Sequence, residues 1–404
     1  MRLFTITLCL LLANVTTNPV DTNASPETVQ LYNTLLSYTQ KSNKTLFGHH
    51  DATLFGAGGG RSPYILGEPH NGFRGWLFSV QQAQNENPDE LCDIKDVTGE
   101  YPAVIGFDLG GNVDDADERL RNAWLIKKAA DRKLIITLSW HQNNPISGGR
   151  PWIDQDHTGV NITHPIRRIL PNGDYNHLYR QRLDSIADWM KQLRDSSGHL
   201  VPAIFRPYHE MTGGWFWWGT NQKTDNTPDD FKELYQYTVR YLRDTKGVHN
   251  LLYAYSPDKV KSASDFLQFY PGDEYVDLMG LDFYYIAAFN PSVQTFQQMV
   301  QILTDTAHAH GKIAAITEVG IFNNGLDTHH NFWNDHVLDA LKSGQGTTRL
   351  AYVLGWGNIC LHKCEIWVPY KGHPAESAFL VFFNDAMTVF EKSLASSVAQ
   401  IVVG

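Results

Sequence analysis

Val201-Pro202-Ala203-Ile204-Phe205-Arg206-Pro207-Tyr208-His209-Glu210-Met211-Thr212-Gly213-Gly214-Trp215-Phe216-Trp217-Trp218-Gly219 is the stretch from which the rest of the chain can be read. Its opening, Val201 to Phe205, is a short apolar run bounded by turn residues, the pattern of a strand buried on both faces. Glu210 is therefore expected at the carboxyl end of a buried strand. A glycine-rich loop with Trp215, Trp217 and Trp218 follows at once. Tryptophans this close together in such a loop cannot all enter a compact core. Flat apolar faces with polar edges are what a site needs to stack on pyranose rings while hydrogen-bonding their rims. The plainer reading is a strand end with core aromatics, and a lone tryptophan would favour it. A carboxylate, a histidine and three tryptophans within ten residues favour a site.

Working outward, eight strand-like runs appear, at residues 45–51, 103–111, 134–141, 203–210, 250–257, 276–284, 313–320 and 350–358. Amphipathic helical stretches separate them. The clearest starts at Thr227-Pro228-Asp229-Asp230, an N-cap threonine, a first-turn proline and acids near the positive helix end. Its apolar face runs through Phe231, Leu234, Tyr235, Thr238 and Leu242. Another helix is expected over residues 26–38. Strand–helix alternation repeated eight times predicts a single α/β domain, a (β/α)8 TIM barrel, over residues 18–404. Its longest loops follow the first three strands, notably residues 143–173 with Trp152. Polar and aromatic residues gather at the carboxyl strand ends, where barrel sites lie: His49-His50-Asp51, Trp140-His141, His209-Glu210, Asp282-Phe283-Tyr284, Glu318 and Trp356.

Composition narrows the partners. The 404 residues are 42% hydrophobic and carry a net charge of −10 without a basic cluster, which argues against nucleic acid and anionic membranes. Met1-Arg2 and the apolar run at residues 3–15 read as a secretory signal peptide, spanning residues 1–17 and cleaved near residues 16–18. The run is too short to cross a bilayer. A secreted, extracellular, monomeric protein is expected. Cys9 leaves with the signal, so Cys92, Cys360 and Cys364 meet an oxidising compartment with at most one internal disulfide. A local bridge in Cys360-Leu361-His362-Lys363-Cys364 is favoured over two free thiols, and a zinc site over two cysteines is remote. Asn23, Asn43 and Asn161 head glycosylation sequons that matter only in a eukaryotic host.

Glu318 is a lone acid in the apolar run Ile313-Ala314-Ala315-Ile316-Thr317-Glu318-Val319-Gly320, costly as a core position. Strands four and seven lie across a barrel from one another, so Glu210 and Glu318 can face each other over its axis. A pair about 5–5.5 Å apart suits retaining glycoside hydrolysis. Glu210, amid aromatic rings, is the better acid, and Tyr284 could donate to Glu318 and hold it charged.

These motifs, with Thr317-Glu318-Val319-Gly320 coming 108 residues after Glu210, resemble glycoside hydrolase family 26, chiefly endo-β-1,4-mannanases. The resemblance covers nearly all of the mature chain and includes Phe47-Gly48-His49, Ser139-Trp140-His141 with Asn144-Pro145, and Gly280-Leu281-Asp282-Phe283-Tyr284. It implies Glu210 as acid/base and Glu318 as nucleophile. It places His141, His209, Tyr284 and Trp356 around the −1 sugar and counts Asp282 among the substrate-binding residues, with Trp215, Trp217 and Trp218 shaping the cleft. β-Mannan and manno-oligosaccharides are the implied substrates, with no metal or other cofactor. Two positions depart from the pattern: His50 where glutamine is more usual, and Gly357 where many members carry an arginine that grips distal sugar. That binding must then come from elsewhere, such as the loops around Trp152 or Trp76. His49-His50-Asp51 reads as a hydrogen-bonded barrel floor before a metal site. Rival functions are a β-glycanase acting on mixed-linkage glucan or β-1,3-xylan, and a barrel that only binds polysaccharide.

Overall fold

The structure, a computed structural model, describes residues 18–40, 42–58, 65–85, 90–110, 113–286, 293–343 and 349–395. The expected signal peptide, residues 1–17, lies outside them. Each apolar run yields one strand: β1 Thr45–His50, β2 Val104–Asp108, β3 Ile135–Trp140, β4 Ala203–Pro207, β5 Leu251–Tyr255, β6 Leu278–Tyr285, β7 Ile313–Ile321 and β8 Leu350–Gly355. All pair in parallel in chain order, and β8 returns to β1 with Leu46 opposite Tyr352, closing the barrel. Most strands stop a few residues before the apolar run does, because the chain there turns outward into the loops that carry the site. Where β6 meets β7 the register slips between Ile316 and Glu318, a bulge the alternation of residue types did not announce.

Among the described residues, five long helices pack around or beneath the barrel: α1 Pro26–Gln40, α2 Ala116–Asp131, α3 Asn176–Gln192, α4 Pro228–Arg240 and α5 Val293–Ala309. Helix α4 starts as expected, with Thr227 Oγ1 accepting from the Asp230 amide at 3.2 Å and the Asp230 carboxylate accepting from the Thr227 amide at 2.8 Å. It buries Phe231, Leu234, Tyr235 and Thr238. Helix α1 is not one of the surrounding layer. Its Leu31, Tyr32, Leu35 and Leu36 join the inward residues Leu46, Val104, Ile204, Leu252, Ile313 and Leu354 in one apolar cluster and close the amino end of the barrel. No helix among the described residues is long and apolar enough to cross a membrane.

Additions absent from the sequence reading follow the carboxyl ends of β1 and β8. Residues Phe55–Gly56, Ile65–His70 and Phe73–Leu77 form a small antiparallel sheet after β1. Residues Ile359–Cys360 and Cys364–Glu365 form a hairpin after β8, held by the Cys360–Cys364 disulfide that the sequence favoured. Cys92 is free and buried, and burial pushes its thiol up to about 12.

Candidate active site

The backbone around Glu210 is unusual. Tyr208 and Glu210 both take positive φ of 55°, with His209 between them. Left-handed backbone at two bulky residues so close together is strained and persists only where the surroundings hold it. Here the Tyr208 hydroxyl is tied to Tyr179 and Thr238, and the Glu210 amide donates to the Ser256 carbonyl at 2.8 Å. This turn directs Glu210 toward the axis, and the β7 bulge does the same for Glu318 while sending Thr317 to Asp282 at 2.6 Å. One carboxylate oxygen each of Glu210, Asp282 and Glu318 lie within 4.8 Å of one another.

The two glutamates sit in opposite surroundings. Arg206 and the Tyr284 hydroxyl each donate to one oxygen of Glu318, the tyrosine at 2.6 Å. Arg206 is itself almost fully buried. It also donates to Asp282 at 2.8 Å and Ser256 at 3.1 Å, and its two carboxylate partners outweigh burial and hold its charge. Glu210 has one donor, the Trp215 indole at 2.9 Å. Burial pushes the Glu210 carboxyl well above its usual range, and the facing Glu318 adds to the push. Glu318 is thus flanked by two donors of the kind a carboxylate accepts from, while Glu210 is placed to carry a proton.

A second line of groups approaches from β2 and β3. The Asp108 carboxylate accepts from Ser139 Oγ at 2.7 Å and lies 2.6 Å from His141 Nδ1. Burial opposes its charge, but His141, Ser139 and His50 prevail and hold it below the usual carboxylate range. His141 Nε2 meets His209 Nε2 at 3.2 Å, and His209 Nε2 lies 4.0 Å from Glu318. Burial, with Arg206 next, keeps His209 well below the ordinary imidazole value and so neutral. Trp152 stacks on His141 with centroids 5.3 Å apart, and Trp356 stacks on His50 at 4.0 Å. The long loop after β3 reaches the site because Trp152 forms an antiparallel bridge with Phe216 in the loop after β4.

Glu210, Glu318, His141, His209, Tyr284, Trp152, Trp215 and Trp356 therefore come together, while four expected site residues need correction. Trp217 and Trp218 expose no surface, their indoles donating at 2.8 Å to the carbonyls of Gln142 and His209. They brace the loop from behind, and of the three only Trp215 offers a face, at 37% exposure. Trp76 is buried in the small antiparallel sheet and donates to Asp93 at 3.2 Å, so it cannot grip sugar. Asp282 is fully buried beneath Glu318 and acts on it through Arg206. Arg206 and Asp108 carry the site's electrostatics without having been singled out. Each is a charged residue inside an apolar strand, the same signal that marked Glu318.

Among the described residues, two groups of side chains have ligand atoms close enough for a cation, Glu210/Asp282/Glu318 and His70/Asp327/His373. In the first, the Arg206 guanidinium already fills the cation's place between Asp282 and Glu318. In the second, His373 Nδ1 accepts from the Ala375 amide at 3.0 Å, which puts the ring hydrogen on Nε2, facing Asp327 at 3.0 Å. A metal would need that nitrogen bare.

A closed parallel barrel bearing two buried, facing carboxylates beyond β4 and on β7, under an aromatic rim, defines a class of protein: the (β/α)8 glycoside hydrolases. The sequence profile of Glycosyl hydrolase family 26 matches residues 20–347, and the chain belongs to that family. It is 34% identical over 332 residues to a mannan endo-1,4-beta-mannosidase of Bifidobacterium adolescentis, a match covering 76% of this chain but 32% of that longer protein. A protein of the same name from Bacillus subtilis strain 168 is 29% identical over 87% of this chain and 90% of its own length. Among solved structures, the catalytic domain of a Bacillus sp. JAMB-750 endo-beta-1,4-mannanase superimposes with a TM-score of 0.77 at 31% identity, covering 93% of this chain and 94% of that one.

Proposed function

We propose that the protein is a secreted, monomeric endo-β-1,4-mannanase that cleaves mannan and glucomannan with retention of configuration. The observation that carries this reading is the approach of the Glu210 and Glu318 carboxylates to within 4.8 Å, one flanked by donors and the other by apolar rings and a like charge. That separation suits double displacement and leaves too little room for the water an inverting enzyme places between its acids. Glu318 attacks the anomeric carbon while Glu210 gives its proton to the departing oxygen. Glu210 then takes a proton from the water that releases the glycosyl-enzyme. Trp215 offers its exposed face to sugar on the leaving side, and Trp356 supports the ring at the reacting position.

Mannose differs from glucose by an axial 2-hydroxyl. Glu318, His141, His209 and Tyr284 form a polar rim able to hydrogen-bond that group, and such rims discriminate more strongly than apolar pockets. The names of the relatives support the same substrate. The apolar leader at residues 1–17 supports export. The test is hydrolysis of mannan, glucomannan, mixed-linkage glucan and β-1,3-xylan, with the first product's anomer followed by NMR. Mannan cleaved fastest with retained configuration is expected. Faster glucan or xylan cleavage would overturn the substrate, inversion would overturn the roles, and binding without cleavage would leave a polysaccharide-binding barrel.

A further inference from the structure

His50, the position that departs from the family pattern, sits where donor and acceptor bookkeeping decides its charge. Asp108 has all its acceptor sites engaged: the Gly110 amide at 2.7 Å and Ser139 Oγ at 2.7 Å, with the His141 amide at 3.3 Å and its Nδ1 at 2.6 Å. It is therefore an ionised carboxylate, and the one hydrogen on Ser139 Oγ goes to it. The contact between Ser139 Oγ and His50 Nε2, at 3.1 Å, must then be donated by the imidazole. On the other side of the ring, Nδ1 lies 3.0 Å from Asp51 Oδ2, an ion-pair contact without hydrogen-bond alignment. A bare nitrogen lone pair so close to a carboxylate in a buried place would be repelled. Both ring nitrogens carry hydrogen.

The surroundings are cut to fit this ring. A Cβ on Gly106 of β2 would come 2.5 Å from it, and a Cβ on Gly357 would come 2.9 Å from the His50 carbonyl. Trp356 covers the ring's face. We propose that His50 is a buried imidazolium, the second fixed cation of the active centre beside Arg206, and that it positions Trp356 and Asp108 while balancing the cluster's carboxylates. The groups facing it are Asp51 and His49 from its own segment, Asp108 from β2, Glu318 from β7 and His209 from beyond β4. Burial works against its charge, but Asp51, Asp108 and Glu318 outweigh it and raise the imidazole above its ordinary value.

The role is a positioning one and can be read apart from simple structural support. Nitrogen-15 correlation spectra of the wild-type histidine rings at pH 7 should show one buried ring with both nitrogens protonated, absent in His50→Gln. Glutamine keeps a donor for Ser139 but no charge. The pH profile of kcat/KM on soluble mannan should therefore keep its shape in His50→Gln while both limbs move up by about half to one pH unit. Should His50→Gln fail to fold, Asp51→Asn, which takes away one of the anions that favour the ring's charge, should lower the pH at which the same spectra show the doubly protonated ring losing a hydrogen. A His50 ring with a single N–H at pH 7, or a His50→Gln variant whose limbs stay put while only kcat falls, would overturn the proposal. The kinetic arm rests on the mannanase reading, whereas the ring spectrum needs no substrate. Failure to cleave mannan would count against that reading, and the spectrum would still decide the charge of His50.

Discussion

Glu210 must keep a proton at a pH where exposed carboxyls have lost theirs, and the folded protein bears the cost. Its folded-state pKa lies above the unfolded one, so stability is whole below the usual carboxylate range and declines as pH rises toward the folded value. Glu210→Gln keeps an acceptor for the Trp215 indole and is expected to raise Tm by about 2–4 °C at neutral pH, a gain that shrinks in melts at pH 4. Activity should move the other way. Glu210→Ala is expected to lose about 10²–10⁴-fold on mannan and much less on aryl mannosides whose leaving groups need no proton, and equal losses on both would refute its role as acid. The tryptophans divide similarly. Trp215→Ala should raise KM with little change in stability, whereas Trp218→Ala, in a fully buried place, should cost about 3–5 kcal/mol in denaturant melts. The sequence did not separate these two, because the periodicity that exposes one face of a regular strand or helix is lost in an irregular loop. The acids were easier to find, since a charge inside an apolar strand is conspicuous whatever the fold. Arg206 had that same signal, but its partners come from β6 and β7, and only the folded barrel brings them to it.

Among the elements, the barrel strands were readable because each is an apolar run of the length that a doubly covered strand requires. The small sheet at Phe55–Gly56, Ile65–His70 and Phe73–Leu77 was not, because glycine, proline and charged residues interrupt runs that are short to begin with. Nor was the β7 bulge, which depends on how Thr317 and Glu318 settle against Asp282 rather than on their order in the chain. The disulfide hairpin lies close in sequence to Trp356, and its Cys364 carbonyl accepts from Asn324 in the loop after β7 at 3.0 Å. Its bridge closes only a short loop, so reduction should shift the global melting midpoint little. Amide exchange should instead quicken over residues 356–367. Mass mapping should join Cys360 to Cys364 and leave Cys92 alone, and Cys92 paired with either would refute the assignment.

For the molecule as a whole, the amino end of the barrel has no substrate to hold and can be filled with apolar side chains. Leu35 of α1 is fully buried there, and Leu35→Ala is expected to cost about 2–5 kcal/mol in equilibrium unfolding while leaving KM unchanged. The same part of the chain bears on how the protein is made. Because the second partner of β1 is β8, and α1 plugs a ring that β8 completes, α1 and the free edge of β1 are completed only once Leu350 to Gly355 have been made. Until then the growing chain is a curved sheet with two bare edges and an uncovered apolar interior, a template for pairing with other chains. A chain halted before Leu350 would accordingly be an aggregation hazard with no fractional activity. The interval that needs chaperone protection lasts until Leu350 to Gly355 have emerged, when both carboxylates are already present but not yet facing each other.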